Sequence, residues 1–145
     1  MRIDAAASEG RSRAERLAQE LDGLEVDALL VESLVDVRYL TGFTGTSGLA
    51  LIAAEQAAGH RTGRHRFLTD FRYATQSATQ VSDAFDREIV AGDLLEGAVQ
   101  ALASFGSAAG MHLGFDDGSL TVKQHERLSE LLGAEWELVP CAGAV

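Results

Sequence analysis

Val37 to Ala54 reads VRYLTGFTGTSGLALIAA, and the order of its parts decides the fold class. A short helical stretch over 34–40 ends at Gly42. Gly42, Gly45 and Gly48 then recur at every third position among hydroxyls and aromatics, and the apolar run Gly48 to Ala54 has the length and composition of a buried strand. Helix, glycine bend, strand is the reverse of an anion cradle. In a cradle a strand leads through a glycine loop to a helix N-terminus, whose free N–H groups and dipole meet the phosphate. The stretch matches neither G-x-x-x-x-G-K-[ST] nor G-x-G-x-x-G, and no lysine lies nearby. Ser47 sits in Gly-Thr-Ser-Gly, not in the G-x-S-x-G elbow, which also requires a strand-to-helix turn. The expected product is a compact helix-to-strand bend that presents Phe43 and Thr44 at an edge.

Working outward, Ser12 and Glu15 form a capping box ahead of the stripe Ala14, Leu17, Ala18, Leu21, Leu24, and Gly23 is a plausible stop. Val26 to Val31 is a buried strand, and His65 to Asp70 another, joined to the Gly48 strand by a polar, hairpin-like link over 55–64. Asp70 caps a helix over about 71–80, with Phe71, Ala74, Ala78 and Val81 on one face. A strand near 85–90 precedes a helix opened by Asp93 and Glu96, with Leu95, Ala98, Val99, Leu102 and Phe105 inward. His112 to Phe115 is a strand, Thr121 and Gln124 cap a helix stopped by Gly133, and Glu135 to Pro140 is the last strand. Strands interleaved with helices in this way predict a three-layer α/β/α domain on a mixed sheet of about six strands. The chain divides into a flexible leader over 1–11 and one domain over 12–140.

The 145 residues suffice to bury a real core. Twelve basic against 22 acidic side chains give a net charge of −10, which argues against general affinity for nucleic acid or anionic membrane. No window reaches the ~18 apolar residues of a membrane span. A lone cysteine, Cys141, excludes an internal disulfide. Together these predict a cytoplasmic protein.

Complete chemistry is missing from the residues. His60, His65, His112 and His125 carry no signature that pairs one with a nucleophile, and there is no H-E-x-x-H or C-x-x-C pair for a metal. Asp116-Asp117-Gly118 reads as a turn. Arg61, Arg64 and Arg66 with His60 and His65 read as a solvated hairpin tip, and Cys141 has no activating motif. In Phe67 to Tyr73, FLTDFRY, the structural reading makes Asp70 a cap and Phe71 core. The functional reading places Asp70, Arg72 and Tyr73 at one strand-to-helix edge as a recognition surface.

Asp27 to Ile52, DALLVESLVDVRYLTGFTGTSGLALI, followed by Phe67 to Gln76, FLTDFRYATQ, resembles the N-terminal domain of the creatinase, prolidase and aminopeptidase P family. There an apolar strand leads into N-(V/I)-x-Y-L-T-G-F-T-G-S, and T-D-x-R-Y follows. Leu113 to Leu128 resembles a later family stretch, so the likeness covers roughly 12–140. Asp36 stands where the family often has Asn, and Thr46 where it often has Ser; both put fine contacts in doubt, not membership.

The resemblance implies a ribonuclease H-like α/β domain ahead of a pita-bread catalytic domain. That second domain holds two divalent metals (Mn, Co or Zn) through two Asp, one His and two Glu, and hydrolyses Xaa-Pro peptides. It implies no catalytic residue, cofactor or metal in this chain, and makes 141–145 the start of a linker. The implied partners are the chain's own C-terminal catalytic domain and further copies in a homo-oligomer. Matching motif positions carry substrate-facing or subunit-interface roles onto Arg38, Tyr39, Phe43, Thr44, Asp70, Arg72 and Tyr73. Phe43 is then expected to border the substrate entrance, and Arg72 or Arg38 to meet a charged peptide end. For Tyr39 and Phe43 the competing reading is simple core. Two other parents stay open: a free-standing interaction or oligomerisation module, and a creatinase-like amidinohydrolase.

Overall fold

The computed structural model describes residues 12–55, 64–105 and 110–145. The leader expected over 1–11, and most of the link after Glu55 with His60 and Arg61, lie outside the described residues. Ser12 opens α1 (Arg13–Gly23) by accepting the Glu15 amide at 3.0 Å, and Ala14, Leu17, Ala18 and Leu21 are its buried stripe. β1 (Ala28–Val31) is buried at every position, as is β2 (Gly48–Ala53). Between them α2 (Leu34–Thr41) stops at Gly42, whose φ of 89° lies in the left-handed region that a side chain disfavours.

β3 (His65–Thr69) leads into a single 3₁₀ turn, Phe71–Tyr73, and then α3 (Ala74–Gln80). β4 (Phe85–Ile89) precedes α4 (Leu94–Leu102), capped by Asp93 through the Leu95 amide. β5 (Met111–Phe115) is followed by α5 (Val122–Leu132), where Thr121 and Gln124 make a reciprocal capping box, and by β6 (Trp136–Pro140).

The strands form one sheet in the order β4-β3-β2-β1-β5-β6. β1–β2 and β2–β3 are antiparallel, and β3–β4, β1–β5 and β5–β6 parallel, giving the expected mixed α/β sheet. Alternation along β1 divides the core. Leu29 and Val31 pack with Leu17, Leu21, Val37 and Leu40 on the face of α1 and α2. Ala28 and Leu30 pack with Ala98, Leu102, Leu128 and Leu132 on the face of α4 and α5. Each fully buried leucine or phenylalanine contributes about 1.5–3 kcal/mol, so the two seams carry most of the stability. Packing runs past Pro140: Cys141 is buried, and its amide donates to the Phe115 carbonyl at 2.7 Å.

Three expected inward positions are exposed: Leu24, just past the end of α1, Ala78 of α3, and Phe71. Phe71 is 76% exposed. The helical face that included it presumes 3.6 residues per turn from Asp70 onward. The first turn is instead a 3₁₀ turn, and its tighter winding rotates Phe71 away from the sheet.

Candidate functional site

Both motifs meet at the sheet end where β2 begins and β3 finishes, since Gly48 pairs with Thr69. The glycine spacing has a physical cause there. A Cβ on Gly42 would lie 2.7 Å from the Gln80 carbonyl oxygen. One on Gly45 would lie 2.2 Å from Phe43 Cζ, and one on Gly48 3.1 Å from both Phe43 Cε2 and Phe67 Cε1. The triplet thus stops a helix and then clears a socket for one ring. Phe43 fills that socket at 1% exposure, its centroid 4.8 Å from Phe67 and 5.3 Å, edge-on, from Tyr73. The edge-presenting role expected for Phe43 is therefore corrected: the ring turns under the loop because an apolar aromatic flanked by two missing side chains gains more by burial.

What the loop presents is Thr44 and Thr46, each held from α3 or the turn before it. The Thr44 amide donates to Gln80 Oε1 at 3.0 Å, and Gln80 Nε2 donates to Thr44 Oγ1 at 2.9 Å. Gln76 Nε2 adds a bond of 3.1 Å to Gln80 Oε1. Thr46 Oγ1 and Tyr73 Oη are 2.6 Å apart, and the Thr46 amide donates to the same phenol at 3.3 Å. The Thr46 side chain, then its amide, draw the Tyr73 phenol below its ordinary pKa. Below the bend, Thr41 Oγ1 donates to the Val37 carbonyl at 2.7 Å and accepts the Phe43 amide at 3.0 Å.

Asp70 caps the 3₁₀ turn through the Arg72 amide at 3.0 Å. Its two oxygens also accept Nε and a terminal nitrogen of Arg72, both at 2.9 Å. That fork holds the Asp70 carboxyl well below the usual carboxylate range. Arg72, its guanidinium 5.3 Å from the Tyr73 ring centre, is spent on this pair. Arg38 is exposed and makes no side-chain hydrogen bond or ion pair among the described residues. Tyr39, 49% exposed, is not core; its ring lies under the Arg13 guanidinium at 4.3 Å on the α1 side. The seven expected positions therefore divide. Phe43, Thr44, Asp70, Arg72 and Tyr73 form one braced edge, Tyr39 belongs to the α1–α2 surface, and Arg38 is an exposed residue of α2.

An open groove of about 720 Å³ adjoins the edge, lined by Leu34, Val35, Thr46, Ser47, Leu94 and Leu95 among others. Val35 is 78% exposed on its rim. The sequence reading missed Gln76 and Gln80. Their i, i+4 spacing marks a shared helix face, but no pattern ties that face to a loop more than thirty residues upstream.

The remaining candidates resolve as structure. Gly118 N–H donates to Asp116 Oδ1 at 2.8 Å, the expected turn. Arg66 pairs with Glu88 at 2.8 Å and Arg64 with Asp86 at 3.5 Å, across β3–β4. His112 lies 3.7 Å from Asp27 and 3.5 Å from Glu137, and His125 packs edge-on against Phe115. Burial pushes the Cys141 thiol up, away from reactivity. Among the described residues no three His, Cys, Asp or Glu side chains are placed to hold a metal ion, and no helix is long and apolar enough to cross a membrane.

Residues 13–145 match the family model described as the Creatinase/Prolidase N-terminal domain. The chain belongs to this family. A Bacillus subtilis relative, the uncharacterized peptidase YqhT, is 35% identical to this creatinase/prolidase N-terminal domain over 133 residues, which cover 92% of the chain. The chain spans about a third of that relative's length, 34%. The solved N-terminal domain of the cytoplasmic peptidase PepQ from Mycobacterium tuberculosis superposes with a TM-score of 0.75 at 31% identity, covering 91% of this chain and 94% of that one. An Xaa-Pro dipeptidase from Bacillus anthracis gives 0.74 at 28% identity, covering 90% of this chain and 33% of that one.

Proposed function

We propose that this chain is the non-catalytic N-terminal domain of an Xaa-Pro metallopeptidase, and that its braced edge walls the substrate entrance. The observation that carries the reading is the loop Thr44–Ser47. It is pinned by Gln80 and Tyr73, sits on a filled socket, and opens onto a groove edged by exposed Leu34 and Val35. Such a surface is preorganised for contact and has no nucleophile, base or metal set of its own, so its role is exclusion and orientation. In the parent enzyme the catalytic domain supplies hydrolysis, with two divalent metals that activate water and polarise the scissile carbonyl. The domain also contributes contacts to a homo-oligomer.

Of the two expected arginines, Arg38 on α2 is the guanidinium available to a peptide carboxylate, because Asp70 already occupies Arg72 at both oxygens. In the full-length parent, Arg38→Ala is expected to raise KM for a short Xaa-Pro peptide about tenfold, roughly 1.4 kcal/mol, with kcat held. Thr44→Val tests the wall in the same assay, with sedimentation run alongside. Unchanged kinetics and unchanged oligomeric state in both variants would sink the recognition role.

A further inference from the structure

The β2–β3 ladder ends on a side chain where a strand carbonyl would be expected. Backbone pairing is regular from Gly48–Thr69 to Leu51–Arg66. Beyond it the Ala53 N–H donates at 3.1 Å to Nδ1 of His65, the first residue of β3. A nitrogen that accepts must carry its lone pair, so this imidazole is neutral and its proton sits on Nε2.

We propose that His65 is an acid-labile latch on the β2–β3 hairpin. Protonating Nδ1 turns the acceptor into a second donor aimed at the Ala53 N–H, and the end of the hairpin opens.

The surroundings favour the latched form at neutral pH. The ring is half-buried, 5.7 Å from the apolar Phe85 ring of β4. Burial, the largest effect, lowers the His65 pKa; Glu15 from α1 opposes it, and the adjoining Arg64 adds to it. Arg64 is itself engaged by Asp86 of β4 at 3.5 Å, which tempers its push. With the folded pKa below the ordinary 6.5, the open form binds the proton better. The latch contributes fully above that ordinary value and is lost as pH falls below it. The described pairs of this ladder, Gly48–Thr69 to Leu51–Arg66, are backbone pairings, which do not titrate in this range, so the sensitivity is local.

The test uses the chain as it stands. At pH 8, nitrogen-detected NMR should show His65 as the Nε2–H tautomer. Hydrogen exchange of the Ala53 amide, corrected for intrinsic rate, should lose up to about tenfold protection per pH unit below about 6.5, while Leu51 holds. In H65N the amide oxygen takes the place of Nδ1 without titrating, so protection persists and the acid step disappears. An Nδ1–H tautomer at pH 8, an Ala53 profile that tracks Leu51, or an acid step surviving in H65N would each overturn the latch. Should H65N fail to fold, the wild-type tautomer and exchange profile decide alone.

Discussion

Replacing Phe43 with alanine would empty a socket walled by Phe67, Tyr73, Gly45 and Gly48. The expected loss is about 3–5 kcal/mol, read as a fall in the denaturant midpoint. The same variant is therefore a poor probe of recognition, since any loss of activity would follow loss of the fold. Gly42→Ala should cost at least about 1–2 kcal/mol for the left-handed backbone, and more because the new methyl meets the Gln80 carbonyl. At this scale the sequence was legible where a residue type has one dominant use. Gly42 after a helical stretch is a stop, and Asp93 or Thr121 before one is a cap. It was not legible for Phe43, because a residue in a bend belongs to no periodic pattern that would reveal which way it faces. The partner of Arg72 was hidden for a related reason: its pairing with a carboxylate two residues away exists only once the 3₁₀ turn folds them into a fork.

Among elements, α5 is the one held most clearly by its own terminus. Thr121 and Gln124 each satisfy the other's backbone amide, at 3.0 and 2.9 Å. Thr121→Ala should cost about 1 kcal/mol, and Thr121→Ser much less, a difference that urea titration resolves. The helices were readable because caps and apolar stripes are local signals. Strand existence was readable for the same reason, but strand order was not, since pairing depends on which hydrophobic faces meet and not on neighbours in the chain. The failed boundary at Phe71 is a pitch error: one tight turn ahead of α3 shifts the phase of the face counted from Asp70.

Across the whole molecule, a cavity of about 210 Å³ lies where the ends of β1 and β5 meet the tail, with Glu32, Asp36, Asp116 and Ser119 around it. Desolvation, the largest cause, raises the Glu32 carboxyl despite a compensating bond from Ser119; burial and then Asp116 raise Asp36. Groups with raised folded pKa values contribute stability that is full below the unfolded values near 4 and is lost as pH rises through the folded ones. Glu32→Gln should therefore raise the melting temperature at pH 7, and the gain should vanish below about pH 4. Equal gains at both pH values would show that packing, not charge, is responsible. Asp93 runs the other way: its bond to Arg127 lowers its pKa, so that contribution fades as pH falls.

Strand order also sets a timetable for synthesis. β1 lies at the centre of the sheet, with β2 on one edge and β5 on the other. The first neighbour, β2, follows after one short helix and the glycine bend, but the second, pairing Ala28 with Leu113, waits until most of the chain has been made. Throughout that interval a wholly apolar strand shows an open row of backbone donors and acceptors, the kind of edge that invites a second nascent chain. The seam between β1 and β5 thus joins the paired strands of the sheet that lie farthest apart in sequence, a slow closure, and its formation is the moment at which β1 ceases to be sticky.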